Sequence, residues 1–256
     1  MNILISYMND CAFCLAKLIQ DFEKERAKVT AIERSKLNQK DFKNKDFIVV
    51  LAGDGTFLKT AHFVKGIPMI GVNATPQRRF GFFCRANLKN IIPKFRAWKK
   101  GKLKPIKLHR LESVIEYKGK KTIPFLALNE LFIGCSRPFH VSKYKLNVNG
   151  KSEYQKSSGL LVATAAGSHG WMSNAGGKKL PVTSSKFQFV TREPVHSKIV
   201  KMKMMWGVLP DKGKISITSD TEDGIVVVDS YPMPWKFPIG AKITIRRSNN
   251  PIYFLK

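Results

Sequence analysis

The stretch DFIVVLAGDGTFLKTAHFVKGIPMIGVN (residues 46–73) decides the fold of the N-terminal part of this chain. It opens with DFIVVLAG (46–53), a continuous β-branched run that is typical of a strand buried on both faces. A helical pattern follows over residues 56–64, and IPMIGVN (67–73) indicates a second strand. Strand, helix and strand at this spacing predict a parallel α/β sheet.

The sequence on either side extends this pattern and then changes it. NILISY (2–7) indicates a further strand, and residues 11–28 have helical periodicity. Beyond Lys104 the segments become short and alternating, as in KISIT and IVVVDS, and NVNGK (147–151) carries an Asn-Gly hairpin signal. These features predict an antiparallel, β-rich second domain.

We therefore expect two domains. An α/β domain is predicted at residues 1–104, and a β-rich domain is predicted at residues 105–236. Residues 237–256 are expected to pack back on the first domain.

Composition narrows the class of protein without naming a function. Lys and Arg number 45 against 18 acidic residues, a formal net charge of +27, which attracts nucleic acid, acidic membranes or phosphorylated small molecules. We favour a general bias of the solvated surface as the explanation of the charge. No nucleic-acid-binding signature is present, so nucleic acid is not an expected partner. No apolar run is long enough to span a membrane, and MNILISYMND (1–10) has no basic residue, so we expect a cytoplasmic protein without a targeting segment.

Four cysteines do not make a disulfide framework in a chain of 256 residues. Cys11 and Cys14 form a CxxC that suits either a redox motif or two small apolar residues at a buried helix start, and we favour the second interpretation. Cys84 and Cys135 are isolated in sequence. Because a zinc site needs more closely spaced ligands, no metal-ligating residues are predicted.

The strongest local motif is AGDGT (52–56), between the buried strand and the helix. Gly53 and Gly55 let backbone N–H groups approach a ligand, and the start of the helix presents its positive dipole end to the same point. Asp54 beside a phosphate makes sense as a Mg²⁺ ligand or as a base for an attacking hydroxyl. An ordinary βα turn with an aspartate helix cap is the alternative.

Two further motifs are weaker. Asn129 and Glu130 interrupt an apolar run, and an amide next to a carboxylate suits ribose hydroxyls or a base edge, although a water-facing strand end would look the same. In SSGLLVATAAGSHGWMSNAGG (157–177), small residues would let a flat ring approach the backbone and Trp171 offers a stacking face. A glycine-rich loop packed by a core tryptophan is the alternative.

Together, in this order, the motifs resemble those of the NAD kinase family, and they look closer to its mitochondrial-type branch. Three segments are similar to segments of that branch: IGVNATPQRRFGFFC (70–84), LNELFIG (128–134) and GSHGW (167–171). Two more resemble it weakly, REPVHSK (192–198) and IVVVDS (225–230). The resemblance implies the family's two-domain architecture, with residues 1–104 as a nucleotide-binding domain and residues 105–236 as an NAD-binding domain. It also implies a phosphotransferase with an alcohol acceptor. The expected substrates are NAD and ATP, the cofactor is Mg²⁺, and the assembly is a homodimer or homotetramer.

The resemblance also implies residue roles, with Asp54 as the general base for the adenosine 2′-hydroxyl of NAD. Phosphates would be contacted by Gly53, Gly55 and Thr56. The ribose and base groups of NAD would be held by Asn129 and Glu130. The adenine and nicotinamide pockets would be lined by Thr164, His169, Gly170 and Trp171. Asn73 is a further neighbour. Ala52, Ala165, Ala166 and His169 depart from the family pattern, which leaves donor and acceptor preference open.

No Walker-type GxxxxGK[ST] is present, so a P-loop enzyme is excluded. A diacylglycerol-type lipid kinase shares Gly-Asp-Gly-Thr but gives no reason for Asn129 and Glu130. A non-catalytic dinucleotide sensor is the other alternative, and it gains little from a carboxylate beside phosphates.

Overall fold

The structure is a computed structural model that describes residues 1–74, 81–195 and 202–256. The chain divides into two compact units, Met1–Lys107 with Asn250–Lys256, and Leu108–Asn249. Each unit has its own hydrophobic core. Parts of two sequence motifs, at 75–80 and 196–198, lie outside the described residues.

The division differs in detail from the predicted domains. The predicted boundary after residue 104 lies three residues before the end of the first segment of the N-terminal unit. The predicted returning segment, 237–256, is too long. Residues 242–247 form a strand within a sheet of the second unit, so the return begins at Asn250.

The N-terminal unit is built on a parallel sheet, as predicted. Its elements are β1 (Asn2–Tyr7), α1 (Leu15–Lys24), β2 (Lys28–Glu33), β3 (Phe47–Leu51), α2 (Asp54–Ala61), β4 (Pro68–Asn73), β5 (Ala86–Asn87), α3 (Ile91–Lys99) and β6 (Ile106–Leu108), with the chain's last strand, β19 (Ile252–Phe254). The strand order is β2-β1-β3-β4-β19-β6, and β5 pairs with β4. Strands β2, β1, β3, β4 and β19 run parallel.

Strand β3 is central because it is apolar on both faces. All five of its residues are buried, and it pairs with β1 on one side and β4 on the other. The sheet packs against Leu18 and Phe22 of α1 and Ile91 and Phe95 of α3 in one core. The first helix is shorter than the predicted 11–28, since a 3₁₀ turn precedes it and β2 already begins at Lys28.

Cys11 and Cys14 both lie buried in the 3₁₀ turn Asn9–Cys14. The Cys14 thiol donates to the backbone carbonyl of Cys11 at 3.1 Å, and burial raises the pKa of Cys14. A protonated, buried thiol is not the reactive thiolate of a redox motif, which favours the structural interpretation.

The C-terminal unit is an antiparallel β-sandwich, which confirms the β-rich prediction. Its elements are β7 (Leu111–Tyr117), β8 (Lys120–Thr122), β9 (Glu130–Cys135), β10 (Ser142–Val148), β11 (Lys151–Ser157), β12 (Gly159–Ala163), α4 (Trp171–Asn174), β13 (Phe187–Arg192), β14 (Trp206–Leu209), β15 (Lys214–Ser219), β16 (Gly224–Val228), β17 (Trp235–Lys236) and β18 (Lys242–Arg247). One sheet has the order β11-β10-β15-β18-β7-β8 and the other β14-β13-β12-β9-β16-β17.

The sandwich is held together by alternating apolar side chains. Ile215 and Ile217 of the first sheet and Leu131 and Ile133 of the second belong to one buried cluster. The predicted Asn-Gly turn joins β10 to β11, with φ values of 50° at Asn149 and 93° at Gly150. Among the described residues, none of the helices has the length and apolar character needed to cross a bilayer.

Candidate active site

The Gly-Asp-Gly-Thr turn lies at the carboxyl edge of the parallel sheet. Strand β3 ends at Leu51, Gly53 is the N-cap of α2, and Asp54 is the first residue of that helix. Ligands of open α/β sheets bind at this edge, and a helix N-terminus favours anionic groups there. The sequence prediction for the position of the turn is therefore confirmed.

The Asp54 carboxylate is held by the segment that follows β4. Its Oδ2 accepts the backbone N–H of Phe82 at 2.7 Å, and its Oδ1 accepts that of Phe83 at 2.8 Å. A Cβ on Gly81 would lie 3.4 Å from Oδ1 and 2.7 Å from the Cys84 side chain. The bare glycine leaves room beside the carboxylate, which two amide bonds hold in one orientation.

Cys84 lies next to this carboxylate but is not a competing base. Its thiol donates to the Ala52 carbonyl at 3.0 Å. Burial, together with the negative charge of Asp54, raises the pKa of Cys84 to about 12. The thiol therefore stays protonated at neutral pH.

Arg34 is a site residue that the sequence reasoning missed. It directly follows β2, and its Nη1 donates to Thr56 Oγ1 at 3.2 Å. The same nitrogen lies 3.9 Å from where a Cβ on Gly55 would be. Its place after a strand of the same parallel sheet could have revealed it, because those strand ends share one edge.

Thr56 is buried beside Arg34. It is 1% exposed, and its hydroxyl accepts a hydrogen bond from the Arg34 guanidinium. Asn73 ends β4, the strand next to β3, and lines a cavity of about 280 Å³ with Ala74, Asn87, Leu88 and Lys89. Asn73 is therefore at the carboxyl edge of the sheet, the same edge as the glycine turn.

In the C-terminal unit, the Asn129-Glu130 pair is organised by Asp229, which the sequence reasoning also missed. The Asp229 carboxylate accepts the backbone N–H groups of Leu128, Asn129 and Glu130 at 2.7, 2.7 and 3.0 Å. Asp229 is buried and adopts a positive φ of 47°. The sequence does show an acidic residue directly after the apolar strand β16, which could have drawn attention to Asp229. Its hydrogen-bond partners lie 99 to 101 positions away, so the sequence alone did not connect them.

The side chains of Asn129 and Glu130 have unused hydrogen-bonding capacity. Within the described part of the chain, Asn129 Oδ1 and Glu130 Oε2 are buried and have no hydrogen-bond partner. Burial, reinforced by the charge of Asp229, raises the pKa of Glu130 to about 8. Burial lowers the pKa of the fully buried Arg110 to about 10, and Asp229 opposes that change. Most buried polar atoms in proteins are hydrogen-bonded, so these two atoms have capacity to bind a further group.

The loop after β12 closes around Asn129. Thr164 donates its hydroxyl to the Leu128 carbonyl at 2.6 Å and its N–H to the Asn129 carbonyl at 2.9 Å. A Cβ on Gly167 would lie 2.1 Å from that Asn129 oxygen, and one on Gly170 would lie 3.8 Å from Asn129 Nδ2. Thr164 is buried, and its two hydrogen bonds tie the loop to the strand.

His169 and Trp171 lie on the exposed side of the same loop. The His169 ring Nε2 is 2.9 Å from the Leu180 carbonyl. The Trp171 ring stacks on Phe132 with centroids 5.5 Å apart, and the Arg192 guanidinium carbon lies 5.0 Å from its centre. Trp171 keeps 37% of its surface exposed.

The predicted site residues thus form one group in each unit. The N-terminal group is Gly53, Asp54, Gly55, Thr56 and Asn73. The C-terminal group is Asn129, Glu130, Thr164, His169, Gly170 and Trp171. Arg34 joins the first group and Asp229 the second.

Known proteins resemble this chain over most of its length. A probable NADH kinase of rice is 30% identical over 72% of this chain and 62% of its own length. An NAD kinase of Clostridium tetani is 29% identical over 75% and 68%, and one of Cupriavidus pinatubonensis is 31% identical over 82% and 67%. The chain therefore spans about two thirds of the length of these relatives.

Solved structures share the fold. An NAD kinase of Archaeoglobus fulgidus in complex with ATP has a TM-score of 0.80 at 24% identity, covering 100% of this chain and 94% of that one. The yeast NADH kinase complexed with NADH has a TM-score of 0.82 at 17% identity, covering 100% and 83%. The family model for the ATP-NAD kinase N-terminal domain matches residues 9–97, and that for the C-terminal domain matches residues 128–256. With both domain models matched in order, this chain belongs to the ATP-NAD kinase family.

Proposed function

We propose that this protein is an NAD kinase that transfers the γ-phosphoryl group of ATP to the 2′-hydroxyl of the adenosine ribose of NAD, giving NADP. The observation that carries the proposal is the Asp54 carboxylate, held by two backbone amides at the start of α2. Relatives named NAD kinase, at 29% and 31% identity, support the same reaction.

Asp54 is the general base in this proposal. Each of its carboxylate oxygens accepts one amide N–H and keeps further acceptor capacity for a substrate hydroxyl. The carboxylate takes the 2′-hydroxyl proton while that oxygen forms a bond to the γ-phosphorus and the bond to the ADP oxygen breaks. The phosphoryl group passes directly to the ribose, and no phosphorylated enzyme forms.

The phosphates of the donor would lie at the glycine turn. Gly55 is exposed within α2, and a Cβ there would meet nothing closer than 3.9 Å, so the fold does not require glycine at this position. Close approach of a phosphate to the backbone explains the missing side chain. The Arg34 guanidinium and the start of α2 supply positive charge to the transferring oxygens.

Mg²⁺ fits this site. It is usually bound through one or two carboxylates together with substrate phosphates, and the Asp54 carboxylate lies beside the turn. The ion would be held mainly by the donor phosphates beside the turn and would neutralise their charge. We further propose that the protein acts in the cytoplasm as a homodimer or homotetramer.

NAD would bind to the C-terminal group. The orphaned Asn129 Oδ1 and Glu130 Oε2 offer hydrogen-bond partners to ribose hydroxyls, and the exposed part of Trp171 offers aromatic surface to a base. A lipid kinase would leave this pair of polar atoms without a role. A dinucleotide sensor would explain them, but it would not explain Asp54.

The test is NADP formation from NAD, ATP and Mg²⁺ by the wild type and by Asp54→Asn. Loss of the base is expected to lower turnover by about 10²- to 10⁴-fold. Asp46→Asn is the matched control, because Asp46 is an acid of the same unit that also accepts a backbone N–H, from Asn2 at 2.7 Å. It should keep wild-type turnover.

The possible outcomes separate the alternatives. Near-normal turnover by a folded Asp54→Asn would rule out the general-base role. Binding of NAD with no product would favour the sensor, and phosphorylation of diacylglycerol instead of NAD would favour the lipid kinase. Circular dichroism must accompany the assay, since the amide can accept only one of the two backbone bonds.

A further inference from the structure

Three potential metal ligands that are distant in sequence meet at one end of the sandwich. Cys135 ends β9, His140 lies in the loop that leads to β10, and Asp223 directly precedes β16. The Cys135 sulfur, a ring nitrogen of His140 and a carboxylate oxygen of Asp223 all lie within 4.8 Å of one another. The proposed kinase chemistry uses none of them.

We propose that Cys135, His140 and Asp223 bind a Zn²⁺ ion. A thiolate, an imidazole and a carboxylate are the ligand types that zinc takes in proteins, in sets of three or four. Mg²⁺ and Ca²⁺ require oxygen ligands, so the sulfur selects against both.

The spacing of the ligands is close to what zinc requires. Tetrahedral bonds of about 2.3 Å to sulfur and 2.0 Å to nitrogen or oxygen put ligand atoms about 3.5 Å apart. The Cys135 thiol already donates to Asp223 Oδ1 at 3.0 Å. His140 is exposed, and within the described residues no group hydrogen-bonds to its ring nitrogens, so the ring can close the remaining distance.

The surrounding contacts hold the ligands without occupying the metal-facing atoms. Ser136 Oγ donates to Asp223 Oδ2 at 3.0 Å, which leaves Oδ1 for the ion. The Arg137 N–H donates to the Cys135 sulfur at 3.4 Å, a contact that also stabilises a thiolate. Such outer bonds commonly fix the orientation of metal ligands. The Arg137 side chain pairs with Asp223 Oδ2 at 3.7 Å, but it is 62% exposed and contributes little there.

Binding exchanges a proton for the ion. The Cys135 S–H bond breaks, the proton leaves to solvent, and a sulfur–zinc bond replaces the hydrogen bond to Asp223. The fourth ligand is a water molecule or Glu222, because Asp223 and Glu222 both line an adjoining cavity of about 510 Å³. The ion would join the loop after β9 to the turn before β16 and so stabilise the C-terminal unit.

The test uses the untagged full-length protein, stripped of metal with a chelator and titrated with Zn²⁺, and with Co²⁺ as a coloured substitute. Cys135→Ser and His140→Ala are each expected to weaken Zn²⁺ binding by at least about 100-fold. Asp220→Asn is the matched control, because Asp220 lines the same cavity but is not among the three ligands. It should keep wild-type affinity.

X-ray absorption of the wild-type zinc form keeps the proposal testable if a variant fails to fold. One sulfur at about 2.3 Å with nitrogen and oxygen neighbours at about 2.0 Å is expected. A zinc shell without sulfur would overturn the assignment. A sulfur–cobalt band that survives unchanged in Cys135→Ser would also overturn it, since Cys11 and Cys14 would then be the source.

Discussion

The glycine turn of the N-terminal unit and the Asn129-Glu130 pair of the C-terminal unit are built in opposite ways. The turn is five consecutive residues, 52–56, with its geometry set by the end of β3 and the start of α2. The pair is held by Asp229, about 100 positions away, and by the loop that follows β12. A local motif carries the proposed chemistry, whereas a long-range scaffold carries the proposed recognition.

This difference predicts different consequences of mutation. The turn has an exposed glycine and a half-buried carboxylate, so changes there should alter turnover more than stability. The scaffold of the pair is buried and joins strands of one core, so changes there should alter stability first.

Gly167→Ala should have the largest effect on stability. The new methyl would lie 2.1 Å from the Asn129 carbonyl oxygen, which is backbone and cannot move away easily. Overpacking of this kind costs about 3 kcal/mol or more of unfolding free energy. Denaturant titration measures it, and an unchanged midpoint would contradict the close approach of loop and strand.

Gly55→Ala is the matched control in the other region. A Cβ there meets nothing closer than 3.9 Å, and alanine is favoured over glycine in a helix by about 0.5–1 kcal/mol. We expect unchanged or increased stability together with a higher KM for ATP. Lost stability would show that the fold, rather than a phosphate, requires this glycine.

Asp229→Asn should lower the unfolding free energy by about 2–3 kcal/mol. The amide has one acceptor oxygen where the carboxylate serves three backbone N–H groups, so buried donors lose their partners. Removing the charge also removes one cause of the raised pKa of Glu130. Urea titration checks the first effect, and equal stability of the variant would make Asp229 dispensable to the scaffold.

Glu130→Gln should change the pH dependence of stability. The pKa of Glu130 is about 8 in the folded protein and 4.5 ordinarily, so its folded state binds a proton more tightly than the unfolded chain does. The contribution of Glu130 to the free energy of unfolding is complete below about pH 4.5. It is lost as the pH rises to about 8, at about 1.4 kcal/mol per pH unit.

The glutamine variant lacks this component, so its stability relative to wild type should increase with pH over that window. Unfolding titrations at several pH values measure the difference. Parallel pH profiles for the two proteins would show that Glu130 titrates near its ordinary pKa.

Arg34→Lys should have the smallest effect. The guanidinium donates to Thr56 Oγ1 while it faces the turn, and an ammonium cannot match that geometry. We expect KM for ATP to rise about tenfold, equivalent to about 1.4 kcal/mol, with a nearly unchanged melting temperature. An unchanged KM would remove Arg34 from the donor site.

Much of the fold and part of the candidate site could be predicted from sequence, because these features depend on residues that are neighbours in the chain. The apolar run of β3 followed by Gly53-Asp54-Gly55 defines a strand, a turn and a helix within ten positions. The Asn149-Gly150 turn is equally local. Sequence reasoning failed where partners are remote: it missed Arg34 and Asp229, and it did not bring Cys135 together with His140 and Asp223.

The sequence by itself determined the parallel sheet, the β-rich second unit, the position of Asp54 and the family. These follow from hydrophobic periodicity and short motifs, which act over a few residues. Only the tertiary structure decided that Asp229 orders the strand of Asn129 and Glu130, that Thr56 orients Arg34, and that Cys135 meets His140 and Asp223. The physical reason is that hydrogen bonds and electrostatic shifts depend on distance in space, and chain order does not record which strand ends become neighbours.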